Sequence, residues 1–84
     1  MTIYTNAGGK EVPFELVDGV LVTLRYYSDV KTGRFRRLET VGRKRWKHLA
    51  IFAESADGTM FNGPMFWFSP ATEEEKATFQ QAIA

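Results

Sequence analysis

Between positions 12 and 41, apolar side chains recur at alternate positions and the runs are broken by turn residues, a pattern suited to short antiparallel strands. Val12, Phe14 and Leu16 share one face of a first strand, which ends at Asp18-Gly19. An Asp-Gly pair after such a run is a hairpin signal, because Gly takes the positive φ that a tight turn needs. The expected partner is 20–27, with Val22, Leu24 and Tyr26 on one side and Thr23, Arg25 and Tyr27 on the other. A loop over 28–33, containing Gly33, is expected to reverse the chain into a third strand, 34–41. In that strand Phe35, Leu38 and Val41 do not keep one parity, which predicts a bulge near Arg36-Arg37 or a strand cationic on both faces.

The segment 43–55 fits two periods, since Trp46, Leu49, Ala50 and Ala53 recur at helical spacing while Leu49, Ile51 and Ala53 alternate. Strand is favoured, because no capping residue follows Gly42 and the turn 56–59 would link this segment to Met60-Phe61 as a hairpin. The stretch 60–68 reads as a last strand interrupted by Asn62-Gly63-Pro64, which restricts it to an edge or a bulge. Helix signals appear only at the end of the chain: Thr72 and Glu75 form a capping box, Glu73, Glu74 and Glu75 fill the first turn, and Phe79, Ala82 and Ile83 give a narrow apolar stripe over 73–82. Gly8-Gly9 precedes a strand rather than opening a helix, so it reads as an arm or turn and not as a phosphate cradle.

The expected fold is therefore mainly β (α+β): a strongly curled or barrel-like five-stranded antiparallel meander with one C-terminal α-helix, in a single small globular domain spanning 1–84. At 84 residues, with 44% of them apolar, the chain has material for one core. It contains no Cys, so no disulfide staples it, and together with the lack of a basic, apolar leader this points to a reducing, cytoplasmic setting. No apolar run approaches the ~20 residues that span a bilayer as a helix, so no membrane partner is expected.

Charge is distributed unevenly. The segment 31–47 holds eight of the eleven Lys and Arg residues and one acid, Glu39, giving +7, while the rest of the chain, with three basic and nine acidic residues, carries −6. Such a patch, interleaved with aromatics, suits a polyanion. The candidate binding residues are Arg34, Phe35, Arg36, Arg37, Arg43, Lys44, Arg45, Trp46, Lys47 and Tyr27, the cations tracking phosphates and the three aromatics stacking on bases. Catalysis has little support: His48 is the lone histidine, and no HExxH, GxSxG or GxxxxGK[ST] pattern occurs. Neither a metal nor a cofactor is expected, because one His without Cys leaves only carboxylates as ligands.

The stretch 20–37, VLVTLRYYSDVKTGRFRR, faintly resembles the strand-turn-strand of single-stranded-DNA-binding transcriptional coactivators. The likeness covers under a quarter of the chain, ends after Leu38 and assigns no family. The sequence thus leads to a non-enzymatic nucleic-acid-binding protein, with single-stranded DNA or RNA preferred because no recognition helix is evident. The alternative is a protein-interaction module, a small regulator or inhibitor docking its basic face onto an acidic protein surface. A homodimer through the apolar edge strand 60–68 is a further expectation.

Overall fold

The computed structural model describes residues 1–7 and 10–83, so Gly8-Gly9, read from the sequence as an arm or turn, lies outside the described residues. Strands β1 (Thr2–Ala7) and β2 (Lys10–Glu15) form a two-stranded antiparallel sheet. A five-stranded antiparallel sheet follows, built from β3 (Leu21–Tyr26), β4 (Asp29–Val41), β5 (His48–Glu54), β6 (Met60–Pro64) and β7 (Phe68–Pro70) in the order β6-β5-β4-β3-β7. A short 3-10 turn, Met65–Trp67, joins β6 to β7, and helix α1 (Glu73–Ile83) ends the chain. The mainly β fold with a C-terminal helix is as the alternation and the capping box foretold.

Two pairings differ from the sequence reading. Asp18-Gly19 does turn the chain, with Gly19 at φ 88° and the Val20 amide donating to the Val17 carbonyl at 3.1 Å. However, β2 and β3 do not pair: β2 takes β1 as its partner over six residue pairs, and β3 lies between β4 and β7. After the turn the chain enters the second sheet directly, the Gly19 amide donating to the Phe35 carbonyl and the Phe35 amide to the Val20 carbonyl, both at 2.8 Å. The reversal placed at 28–33 is tighter than expected, because Tyr26 pairs with Asp29 and the turn is Tyr27-Ser28. Gly33 sits inside β4 for a packing reason: a Cβ there would lie 2.7 Å from the Glu54 carbonyl oxygen and 2.7 Å from the Phe61 ring.

The bulge is found where the parity breaks. Phe35 pairs with Ala53 and Arg37 with Phe52, leaving Arg36 as the extra residue. The inserted residue lets both Phe35 and Leu38 face inward although three positions separate them. Segment 48–54 is a strand, as favoured, while 42–47 forms the loop ahead of it.

The stretch 60–68 is split rather than continuous, for β6 ends at Pro64 and β7 pairs with β3 on the opposite edge of the sheet. Three residues bridge those edges, which requires the sheet to curl strongly. Across the curl, a Cβ on Gly63 would approach Leu24 Cδ1 of β3 to 2.9 Å, so a side chain here would make the Leu24 end shift. Among the described residues β6 and β7 do not pair, and the curled sheet stays open. Inside it lie Val22, Leu24, Phe35, Ile51, Ala53 and Phe68, joined by Ile3 and Leu16 from the N-terminal part and backed by Phe61, Met65 and Trp67.

Helix α1 covers the other face of β3 and β4. Phe79 is buried there beneath the Arg34 guanidinium, 5.0 Å from the ring centroid, whereas Ile83 is exposed and adds little to the stripe. The capping box closes as expected: the Glu75 amide donates to Thr72 Oγ1 at 3.1 Å and the Thr72 amide to Glu75 Oε1 at 2.9 Å. Glu75 also receives both terminal nitrogens of Arg25, at 2.6 and 2.8 Å, and the Thr23 hydroxyl at 3.0 Å. These bonds, Arg25 first, hold the Glu75 carboxyl at a pKa of about 2, well below the usual range.

Candidate nucleic-acid interface

The ten residues singled out in the sequence do not form one surface. Phe35 is a core residue, 8% exposed, and cannot stack on a base; the bulge turns it inward despite its cationic neighbours. Tyr27 is 89% exposed but lies in the β3–β4 turn, at the opposite end of the thirteen-residue β4 from loop 42–47. At about 3.3 Å per residue, roughly 40 Å of strand separates the two. The stacking row expected from Tyr27, Phe35 and Trp46 is therefore reduced to Trp46.

The arginines of β4 are engaged within the fold. Arg36 projects from the bulge into a fork of acids, with Nη2 2.7 Å and Nε 2.9 Å from Glu54 Oε1 and Nη1 3.2 Å from Asp18 Oδ1. Glu54 first, and Asp18 second, raise its pKa still further. Arg37 pairs with Glu39 at 3.2 Å and lies over the Phe52 ring at 4.3 Å, while Arg34 rests on Phe79. Their contacts locate two of the acids that balance the basic segment: Asp18 and Glu54 come from distant positions and meet Arg36 only in three dimensions.

Loop 42–47 differs. Val41 pairs with His48, so the six residues between them cap the β4–β5 hairpin. Gly42 begins it at φ 113°, where a Cβ would sit 2.2 Å from the Trp46 carbonyl oxygen; no other residue fits this backbone path. The Trp46 amide donates to the Arg43 carbonyl at 2.6 Å, and Lys44 takes a positive φ of 24°. A folded tip results, carrying Arg43, Lys44, Arg45 and Lys47, all exposed, around a Trp46 that is 83% exposed. Among the described residues none of these four cations makes an ion pair.

The strands carrying this tip extend beyond the rest of the sheet. Pairing of β3 with β4 stops at Arg34, and pairing of β6 with β5 stops at Ala50. Thr40 and Val41 therefore pair with Leu49 and His48 as a two-stranded ribbon, rooted at Glu39 and Ala50, where Pro64 of β6 joins.

A second exposed cluster escaped the sequence reading. Tyr26 stacks on Trp67 at 3.9 Å between centroids and meets Tyr27 edge-on at 4.4 Å, with Phe66, 78% exposed, against Trp67 at 6.2 Å. Its signal was the apolar run Met65-Phe66-Trp67-Phe68, read as the end of an interrupted edge strand; the 3-10 turn instead breaks the run and leaves Phe66 outward. No cation of loop 42–47 belongs to this cluster.

Comparisons with known protein families, curated proteins and solved structures give no match. Among the described residues there is no group of three or more potential metal ligands, and no helix is long and apolar enough to cross a membrane.

Proposed function

We propose that the chain is a small non-enzymatic nucleic-acid-binding protein that uses the tip of its β4–β5 ribbon. The observation supporting this reading is the tip itself: four adjacent cations left without acidic partners in a chain whose other Arg residues are paired or packed, around an exposed tryptophan. Holding like charges together costs free energy in the isolated protein, and a polyanion relieves that cost. The absence of cysteine suits work in a reducing cytoplasm.

Four phosphate contacts give a log-log salt slope of roughly −3.6 on duplex or −2.8 on a single strand. Between roughly 50 and 200 mM salt, affinity should fall on the order of 150-fold or 50-fold respectively. Fluorescence anisotropy with labelled oligonucleotides reads this directly. A variant with Arg43, Lys44, Arg45 and Lys47 all replaced by Ala should lose the binding at every sequence, and unchanged affinity would sink the reading. Should the same tip dock on an acidic protein instead, a nuclease-treated lysate would still yield a partner that the quadruple variant loses.

A further inference from the structure

We infer that the polyanion is a DNA duplex, entered through its major groove by the β4–β5 ribbon; this rests on the nucleic-acid reading above. Three observations favour a duplex over a single strand. Single-strand recognition works through a row of aromatic platforms along a cationic groove. That row is absent here, since Phe35 is buried and Tyr27 stands at the far end of β4, beside rings with no loop cation among them.

The ribbon, by contrast, has the shape of a groove reader. From Thr40 to Leu49 it is two strands wide, with neither β3 nor β6 alongside. Strands about 4.8 Å apart, with their side chains, make a blade on the order of 10 Å across. The B-DNA major groove, about 12 Å wide and 8.5 Å deep, admits such a blade, whereas the minor groove, about 6 Å wide, does not. Duplex RNA is disfavoured for the same reason, because its major groove is deep and narrow.

The distribution of charge along the ribbon fits insertion by the tip. Glu39 neutralises Arg37 at 3.2 Å near the root, and the four unpaired cations come only in loop 42–47. Arg43 and Arg45 have the fork geometry for the O6 and N7 acceptors of guanine, while Lys44 and Lys47 serve the flanking phosphates. The backbone constraint at Gly42 and the Trp46–Arg43 hydrogen bond hold the tip in one shape before it binds, which lowers the ordering cost of association.

The test compares one labelled 20-base-pair DNA duplex with its single strand and with the RNA duplex of the same sequence, at 100 mM salt. The duplex DNA should bind at least tenfold more tightly than either, and saturating an A·T-rich duplex with netropsin, which fills the minor groove, should leave that binding unchanged. Equal or tighter binding to the single strand overturns the inference but leaves the nucleic-acid reading standing; so does loss of duplex binding to netropsin. Failure of the folded protein to bind any of the three would overturn both. Replacing Arg43 and Arg45 with Lys keeps the charge and removes the fork, so it should lower discrimination between G-containing sites and others while preserving the salt slope.

Discussion

Glu75 ties the helix to the sheet through a charge, and the strength of that tie can be worked out. Its carboxylate accepts from both Arg25 terminal nitrogens, from the Thr23 hydroxyl and from the Thr72 amide, and its pKa is held at about 2 against an ordinary 4.5. A displacement of this size corresponds to a ceiling of about 3 kcal/mol, at about 1.36 kcal/mol per pH unit. The Glu75 side chain is 19% exposed and that of Arg25 39%, so solvent screens part of the interaction and about 2 kcal/mol is the expected share. Because folding depresses the pKa, this stability is fully present above about pH 4.5 and is lost as the pH falls toward 2.

The perturbation is Glu75→Gln, which keeps the size and the acceptor oxygen of the side chain but removes its charge. At pH 7 the variant should be less stable by about 2 kcal/mol, with a melting temperature lower by roughly 10 °C for a domain of this size. Urea unfolding of both proteins at pH 7, 5.5, 4.5, 3.5 and 2.5, followed by far-UV circular dichroism, should show the gap closing below pH 4.5. Glu15, held low first by the N-terminal ammonium, and Asp57, held low first by the Thr59 amide, titrate in both proteins and cancel in the difference. A gap that stays constant down to pH 2.5, or no gap at pH 7, would refute the assignment of that stability to the Glu75 charge.

Phe35→Ala should cost about 3–5 kcal/mol, enough to unfold much of so small a domain, while Trp46→Ala should change stability by less than about 0.5 kcal/mol; thermal melts of the two separate a core aromatic from an exposed one. Gly33→Ala brings a Cβ within 2.7 Å of the Glu54 carbonyl and the Phe61 ring, and should destabilise by about 1–3 kcal/mol in urea titrations. Gly42→Ala should instead disturb the tip, because its Cβ meets the Trp46 carbonyl at 2.2 Å; oligonucleotide affinity measured by anisotropy should fall several-fold while far-UV circular dichroism keeps its β signature.

What was legible in the sequence was local. The capping box at Thr72 and Glu75, the strand ending at Glu54 and the bulge at Arg36 each follow from residues within a few positions of one another. Choice of partner was not legible, since β2 pairs with either neighbour equally well by alternation, and Asn62-Gly63-Pro64 marks a break in 60–68 without showing that the chain then sends Phe68 to the far edge. Gly33 was ambiguous for a different reason: glycine serves tight turns and close contacts alike, and only the position of Phe61 decides between them. The same limit applies to the basic segment. Its charge could be counted, but the neutralisation of Arg36 by Asp18 and Glu54 depends on residues eighteen positions away on either side.

The single extra residue at Arg36 has a consequence for how this architecture tolerates change. Without it Phe35 and Leu38 would stand two positions apart, and ordinary alternation would keep Leu38 facing inward opposite Ile51 and Arg37 outward opposite Phe52. Length at this point is therefore less strictly fixed than elsewhere in the strand: loss of Arg36 removes its bonds to Asp18 and Glu54 and the local kink, while the ribbon keeps its facing, whereas a one-residue change between Arg37 and Val41 would turn the tip over.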